Sequence, residues 1–285
     1  MRFVYQQPFR FELMHLTPHD YTADVKNFWE IHWKNNPRTG KVSADIDPDR
    51  KSQSLKFDHY HLYRRQLPNG EFFDLRLLLN TYKLVWDGNE FGNDSIIVSF
   101  RRQNENADKK TEDMYDVTDW YAQRADYKEW IENYLHESYS IGGEIIFPTT
   151  NSMNQARGTN PGIADRFDLT LECIKHYYEG TPTGEYSLDN LVDAVKKNAW
   201  FFDKYVDFKR YVDFFLLQDA VDENYNVKRF LKHIGRPDTV EEYQTFMDNQ
   251  MEFLRKRNKR IYEMELEEWP SLWVKKVAGE YVEWN

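Results

Sequence analysis

The sequence predicts an α+β protein, with a small β-sheet in the first half and a predominantly helical second half. Three observations carry this reading. Runs dense in β-branched and aromatic residues lie between Phe72 and Phe100, around the turn dipeptide Asp87-Gly88. In the second half, apolar residues recur at spacings of three, four and seven, as on the buried face of a helix. The chain has 285 residues, 40% of them apolar and 16% aromatic, which is enough to bury a sizeable core and too apolar for a disordered chain.

Taken in order, Val25, Phe28, Trp29, His32 and Trp33 fall at helical spacing, and Pro37 with Gly40 ends that element. Residues 36–56 are polar and turn-rich and read as a surface loop. The stretch from Phe72 to Trp86 and the run Ser95 to Phe100 read as strands, joined through the turn residues 87–94. Thr118 or Asp119 can cap a helix that runs through Trp130, Tyr134 and Leu135 to Gly142-Gly143. Ile145-Ile146-Phe147 then reads as a buried strand. Helices are expected over 163–179, 187–203, 205–222, 239–267 and 270–282, with Gly180 as a C-terminal stop and Ser187 as a cap. Tyr243, Phe246, Met247, Leu254, Ile261, Tyr262 and Leu266 form the apolar stripe of the long helix. A soft boundary near residue 140 separates a mixed region, 1–140, from a mainly helical one, 141–285, the two expected to pack as one unit.

Charge and cysteine content narrow the function classes. The formal charge of −10 opposes a general affinity for the phosphate backbone, so a basic or amphipathic protein partner is expected ahead of nucleic acid. The single cysteine, Cys173, rules out an internal disulfide framework and a multi-cysteine zinc site, and fits a reducing, cytoplasmic compartment. No run of about 18 apolar residues is present, and MRFVYQQPFRFELMHL lacks the apolar run of a signal peptide, so no membrane partner is expected. A homo-oligomer stays open.

The most suggestive segment runs from the buried strand through a polar loop into a helix. Between Pro148 and Asp168 it carries Asn151, Ser152, Asn154, Gln155, Arg157, Asn160, Asp165, Arg166 and Asp168, an array of amide donors and acceptors, cationic forks and carboxylates. Such a set suits a phosphate, a carboxylate or a peptide backbone, and the helix start that follows can hold an anion. The same residue types also form ordinary turns and helix starts. Asp165, Asp168 and Glu172 share a helix face, yet a solvated acidic face is commoner than a Mg²⁺ site, so no metal and no cofactor are expected.

Other candidates have plainer explanations. His15 and His19 flank Pro18, and His59 and His61 lack a third ligand at a diagnostic distance. Asp213, inside an apolar run, is expected to pair with Lys209 or Arg210. Arg255, Lys256, Arg257, Lys259 and Arg260 precede Glu263, Glu265, Glu267 and Glu268, which reads as a self-neutralising helix before it reads as a nucleic-acid surface. Cys173 sits in a helical apolar run and reads as a buried, inert thiol. The motifs G-x-S-x-G, H-E-x-x-H and G-x-x-x-x-G-K-[ST] are absent, and no catalytic residue is assigned.

The blocks FGNDSIIVSF, GGEIIFP, NSMNQARGTNPGIADRFDLTLECIKHYY, VDFKRYVDFFLLQDAV and EFLRKRNKRI resemble a large family of uncharacterised bacterial proteins, over most of Asp74 to Ile261. The resemblance implies a bacterial, phage or prophage origin and transfers no activity. It places Asn151, Ser152, Asn154, Gln155, Arg157, Asp165, Arg166 and Asp168 in the family's most distinctive block. Two functions are therefore weighed. One is a non-enzymatic interaction protein, an inhibitor or adaptor in bacterial or phage conflict, using exposed aromatics as anchors. The other is an enzyme acting on a phosphate-bearing nucleotide or nucleic-acid ligand, with Arg157 and the helix start holding the anion.

Overall fold

A computed structural model of the chain describes residue 59 and residues 62–78, 83–96, 102–103, 114–115, 140–148 and 153–277. The expected helix over 25–33, the loop at 36–56, the helix from Thr118 up to residue 139 and the strand residues 97–100 lie outside them, and Ile141–Gly143, expected as the end of that last helix, form a 3₁₀ turn.

The architecture is α+β. Strands β1 (Arg76–Leu78), β2 (Lys83–Trp86), β3 (Asn89–Ser95) and β6 (Glu144–Pro148) form an antiparallel sheet in the order β1-β2-β3-β6. Strands β4 (Arg102–Gln103) and β5 (Met114–Tyr115) pair separately. Leu77 lies opposite Leu84, and Leu84 opposite Phe91, so one buried apolar row crosses the first three strands. Every residue of β6 is buried, the Ile145-Ile146-Phe147 run as predicted and Glu144 with it, and the strand pairs with β3 from Phe91 opposite Pro148 to Ser95 opposite Glu144.

Between β2 and β3 the turn is tighter than the sequence suggests. Asp87 and Gly88 both take positive φ, +48° and +75°, and Trp86 pairs with Asn89, giving a two-residue hairpin. Phe91-Gly92-Asn93-Asp94, expected as turn, is therefore strand, because the hairpin closes at once and β6 supplies a second partner.

The helices follow. They are α1 (Met153–Gly158), α2 (Phe167–Glu179), α3 (Tyr186–Lys197), α4 (Ala199–Phe202), α5 (Phe208–Phe214) and α6 (Val240–Val277). Gly180 ends α2 in the left-handed region at φ +65°, its N–H bonding His176 and Tyr177 carbonyls, as expected of a glycine stop. Ser187 is not a cap: it lies inside α3, where Asp189 instead accepts from the Thr183 N–H and hydroxyl at 2.8 and 2.7 Å. The expected helix over 187–203 breaks at Asn198, whose side chain turns back onto the Ala194 carbonyl. Helix α5 is capped by Asp207, which accepts from the Arg210 N–H at 2.8 Å, and ends before Leu216 enters the left-handed region at φ +57°.

The largest departure is at the end. The two helices expected over 239–267 and 270–282 are one helix of 38 residues, α6, which passes through Pro270. Proline removes a single N–H from the ladder, and here the turns resume beyond it. Tyr243, Phe246, Met247, Leu254 and Ile261 are buried along one face, as the stripe predicts.

The core between sheet and helices is aromatic. Phe73, Phe91, Phe201, Tyr205, Tyr211, Phe214 and Phe215 meet in tilted and edge-on pairs, among them Tyr211 with Phe215 at 4.8 Å and Tyr205 with Phe214 at 5.0 Å. Among the described residues no helix is long and apolar enough to cross a membrane.

Candidate functional site

The polar segment singled out above begins where β6 leaves the sheet. Asn151 and Ser152 lie outside the described residues, and Asn154 and Gln155 are placed on α1 by backbone alone. The remaining residues are described, and most point inward.

Arg157, in the last turn of α1, is fully buried. Its guanidinium pairs with the Asp94 carboxylate of β3, donates to Thr170 Oγ1 at 2.9 Å, and reaches the Ser95 and Asp165 carbonyls at 3.3 and 3.1 Å. The Asp165 carboxylate lies 3.5 Å away. Burial alone would lower the Arg157 pKa, but the Asp94 and Asp165 carboxylates outweigh it and hold the group above its ordinary value. The guanidinium faces the sheet and α2, and presents no fork to an outside anion.

Arg166 precedes α2 and forms a second internal hub. It grips Asp168 through Nε at 3.1 Å and a terminal nitrogen at 2.5 Å, both side chains being fully buried. Its other hydrogen bonds go to the carbonyls of Leu231, His233 and Gly235 at 3.0, 2.6 and 3.0 Å. Asp168 also accepts from the Phe230 N–H at 2.8 Å. The helix start that was expected to hold an anion is thus closed over by the 230–235 loop. Asn160 is likewise engaged: its amide donates to the Ser187 carbonyl at 2.6 Å and accepts from the Gly162 N–H at 2.9 Å.

A third buried arginine escaped the sequence reading, which placed Arg257 in the basic run. It is fully buried and donates to the carbonyls of Gly142, Glu144 and Phe215 and to the Tyr63 hydroxyl, at 2.7, 2.8, 3.2 and 3.1 Å. The signal was present: Arg257 stands three residues after Leu254 and four before Ile261, on the apolar stripe. Elsewhere in the run Lys259 pairs with Glu263 at 3.7 Å, one of the acidic residues expected to neutralise it, whereas Lys256 pairs with Glu252 at 2.5 Å and Arg260 with Asp219 at 2.9 Å.

The acidic trio does not converge. Asp168 faces Arg166, Glu172 is held by Arg229 at 2.6 and 2.7 Å, and Asp165 lies beside Arg157. Asp213 pairs with Lys209 at 2.5 Å, one of its two expected partners. Cys173 is buried, with burial pushing its thiol pKa up, which suits an inert packing role.

What the segment does present outward is a shallow depression of about 550 Å³ between the end of α1, the 159–162 loop and the start of α3. Ala156, Pro161 and Gly162 give it an apolar floor, and Asn160, Ser187 and Asn190 give it amide and hydroxyl groups. Tyr186 stands at its edge with 84% of its surface exposed. Nothing in the sequence around Tyr186 distinguishes it from the core tyrosines. A second depression, about 450 Å³, is lined by Glu172, His176 and Arg229, side chains that already satisfy one another or Thr181.

These buried hubs, β3 and the whole 140–178 block lie within residues 29–261, which match the model of a family of unknown function, DUF6994. The chain belongs to this family. The matched span runs from the first expected helix to Ile261 on α6, so the DUF6994 match includes the sheet, all three arginine hubs and the depression beside Tyr186. No curated protein and no solved structure matches the chain.

Proposed function

We propose that this protein is a non-enzymatic interaction module, an inhibitor or adaptor whose docking surface is the depression edged by Tyr186. The observation that carries the proposal is a division of labour. Arg157, Arg166 and Asp168 of the family's distinctive block are directed inward, where they fasten β3, α1, α2 and the 230–235 loop together, and Asp165 lies half-exposed beside Arg157. The outward face of the same block is open, uncharged and flanked by an aromatic that is 84% exposed.

An exposed tyrosine beside an apolar floor with amide and hydroxyl groups suits an extended peptide segment of another protein. The ring supplies area at low entropy cost and the amides satisfy a peptide backbone. Glu185 precedes α3, Asp189 and Asp193 lie on it, and the whole chain carries a formal charge of −10, so the segment is expected to be basic. A reducing, cytoplasmic setting accords with the single buried cysteine. A role in bacterial or phage conflict is the setting in which we would look for the partner.

The test is site-specific photo-crosslinking from position 186 in nuclease-treated bacterial lysate, read by quantitative mass spectrometry. The expected result is one protein crosslinked through a Lys- or Arg-rich segment, with recovery abolished when Asn190→Arg is added to the crosslinking protein, in a variant that melts like the parent. Recovery unchanged by that variant, or a small molecule or nucleic acid as the only co-purifying species, would overturn the proposal.

A further inference from the structure

We propose that His233, Asp238 and Glu242 form a binding site for a divalent first-row transition-metal ion of the zinc class. The three residues lie on the loop into α6 and its first turn, and one ligand atom from each falls within 4.8 Å of the others. His233 Nε2 and a Glu242 carboxylate oxygen are 3.2 Å apart. Two ligands held tetrahedrally at about 2.0–2.1 Å from zinc are separated by roughly 3.3 Å, so this edge already has the spacing of a metal-bound pair.

The orientation of the His233 ring points the same way. Its Nδ1 lies 2.8 Å from the Ile234 carbonyl oxygen, which can only accept, so Nδ1 carries the hydrogen. Nε2 is thereby left facing the Glu242 carboxylate at 3.2 Å, a position that a proton bridges in the metal-free protein and that a metal ion would take by displacing it. A backbone carbonyl on the distal nitrogen is also the usual partner of a metal-ligating histidine.

The carrying backbone is firmly held. Arg166 binds the carbonyl of His233 itself and that of Gly235, and the Gly235 N–H bonds the Gly162 carbonyl at 2.8 Å. Glu242 is positioned by accepting from the Asp238 N–H at 2.9 Å while its own N–H donates to Thr239 Oγ1 at 3.2 Å. Helix capping alone accounts for these last two bonds, and the imidazole adds its 3.2 Å contact with the same Glu242 carboxylate. Imidazole with two carboxylates selects the Zn²⁺, Co²⁺ and Ni²⁺ group over Mg²⁺ and Ca²⁺. The partial exposure of His233 and Glu242 gives an entry path and room for water at the remaining position. The positive end of α6 opposes a cation, and the two carboxylates offset it, so moderate affinity is expected.

The experiment is calorimetric titration of chelator-treated protein with Zn²⁺, alongside Co²⁺ absorption spectra, for the parent and four variants. One ion per chain is expected, with affinity falling about tenfold or more in His233→Ala and in Glu242→Gln. Glu242→Gln keeps an oxygen for the Asp238 N–H, so it separates ligation from capping. Asp238→Asn is expected to weaken binding less, and His176→Ala, a second exposed histidine, to leave it unchanged. If His233→Ala fails to fold, the Glu242→Gln and Asp238→Asn pair decides. No binding up to millimolar Zn²⁺, or binding indifferent to these substitutions, would overturn the proposal.

Discussion

Replacing Arg157 with alanine tests whether the most suggestive residue of the polar loop is structural. The guanidinium is fully buried, faces Asp94, whose side chain is 13% exposed, and holds Thr170, Ser95 and Asp165 by further hydrogen bonds. Removing it takes the cation from a nearly buried carboxylate and opens a cavity where β3, α1 and α2 meet. Breaking a buried ion pair from one side costs about 3–5 kcal/mol. With a urea dependence of about 2–3 kcal/mol per molar, the unfolding midpoint should fall by roughly 1–2.5 M at unchanged slope. Equilibrium unfolding followed by tryptophan fluorescence and far-UV circular dichroism measures it. Adding Asp94→Asn completes a double-mutant cycle, in which a coupling of about 1–3 kcal/mol is expected. Arg157→Ala within about 1 kcal/mol of the parent, with additive effects in the cycle, would refute the reasoning and return Arg157 to the list of ligand-binding residues.

Three further outcomes are expected. Arg257→Met removes the shared donor of three carbonyls and the Tyr63 hydroxyl, and at about 1–3 kcal/mol per buried acceptor should destabilise by at least 2 kcal/mol, with Arg257→Lys restoring little because an ammonium lacks the planar fork; urea melts check both. Gly142→Ala sets a Cβ 2.4 Å from the Asn258 side-chain oxygen that the Gly142 N–H bonds, and 3.1 Å from the Asn258 backbone nitrogen, so a loss of about 1–3 kcal/mol in thermal unfolding is expected. For the metal-free protein, the bond to the Ile234 carbonyl and then Glu242 raise the His233 pKa above 6.5, while the Asp238 N–H and then His233 lower that of Glu242 below 4.5. The histidine contribution to stability is therefore complete below pH 6.5 and lost as pH rises through its raised value, whereas the glutamate contribution is present above pH 4.5 and lost as pH falls through its lowered value. An NMR titration should place His233 above 6.5 in the parent and lower in Glu242→Gln; equal values in the two would contradict it.

What was legible in the sequence follows from how far each signal reaches. The buried strand at Ile145-Ile146-Phe147, the glycine stop at Gly180 and the stripe on α6 are local or periodic, and the structure has all three. The turn at Asp87-Gly88 was visible, but the extent of β3 depended on its pairing with β6, which lies far downstream and beyond the reach of local sequence patterns. Pro270 looked like a boundary because proline disfavours helix interiors, and the longer helix prevailed. At the site, Arg157 and Arg166 looked like ligand residues because a guanidinium that recognises a phosphate and one that fastens a loop are the same group. Only burial separates them, and burial depends on Asp94, Leu231, His233 and Gly235, none of which lies near them in sequence.

The identity of the acceptors has a consequence for how the family can diverge. Arg166 and Arg257 bond mainly to main-chain carbonyls, at Leu231, His233 and Gly235 and at Gly142, Glu144 and Phe215. Every amino acid supplies that oxygen, so replacing the side chain at an acceptor position does not delete the bond. Half of each fastening is therefore written in the backbone, where substitution does not erase it, and the other half in a single codon. Among DUF6994 sequences Arg257 should persist without a co-varying partner, while Arg157 with Asp94 and Arg166 with Asp168, joined side chain to side chain, should change together or not at all.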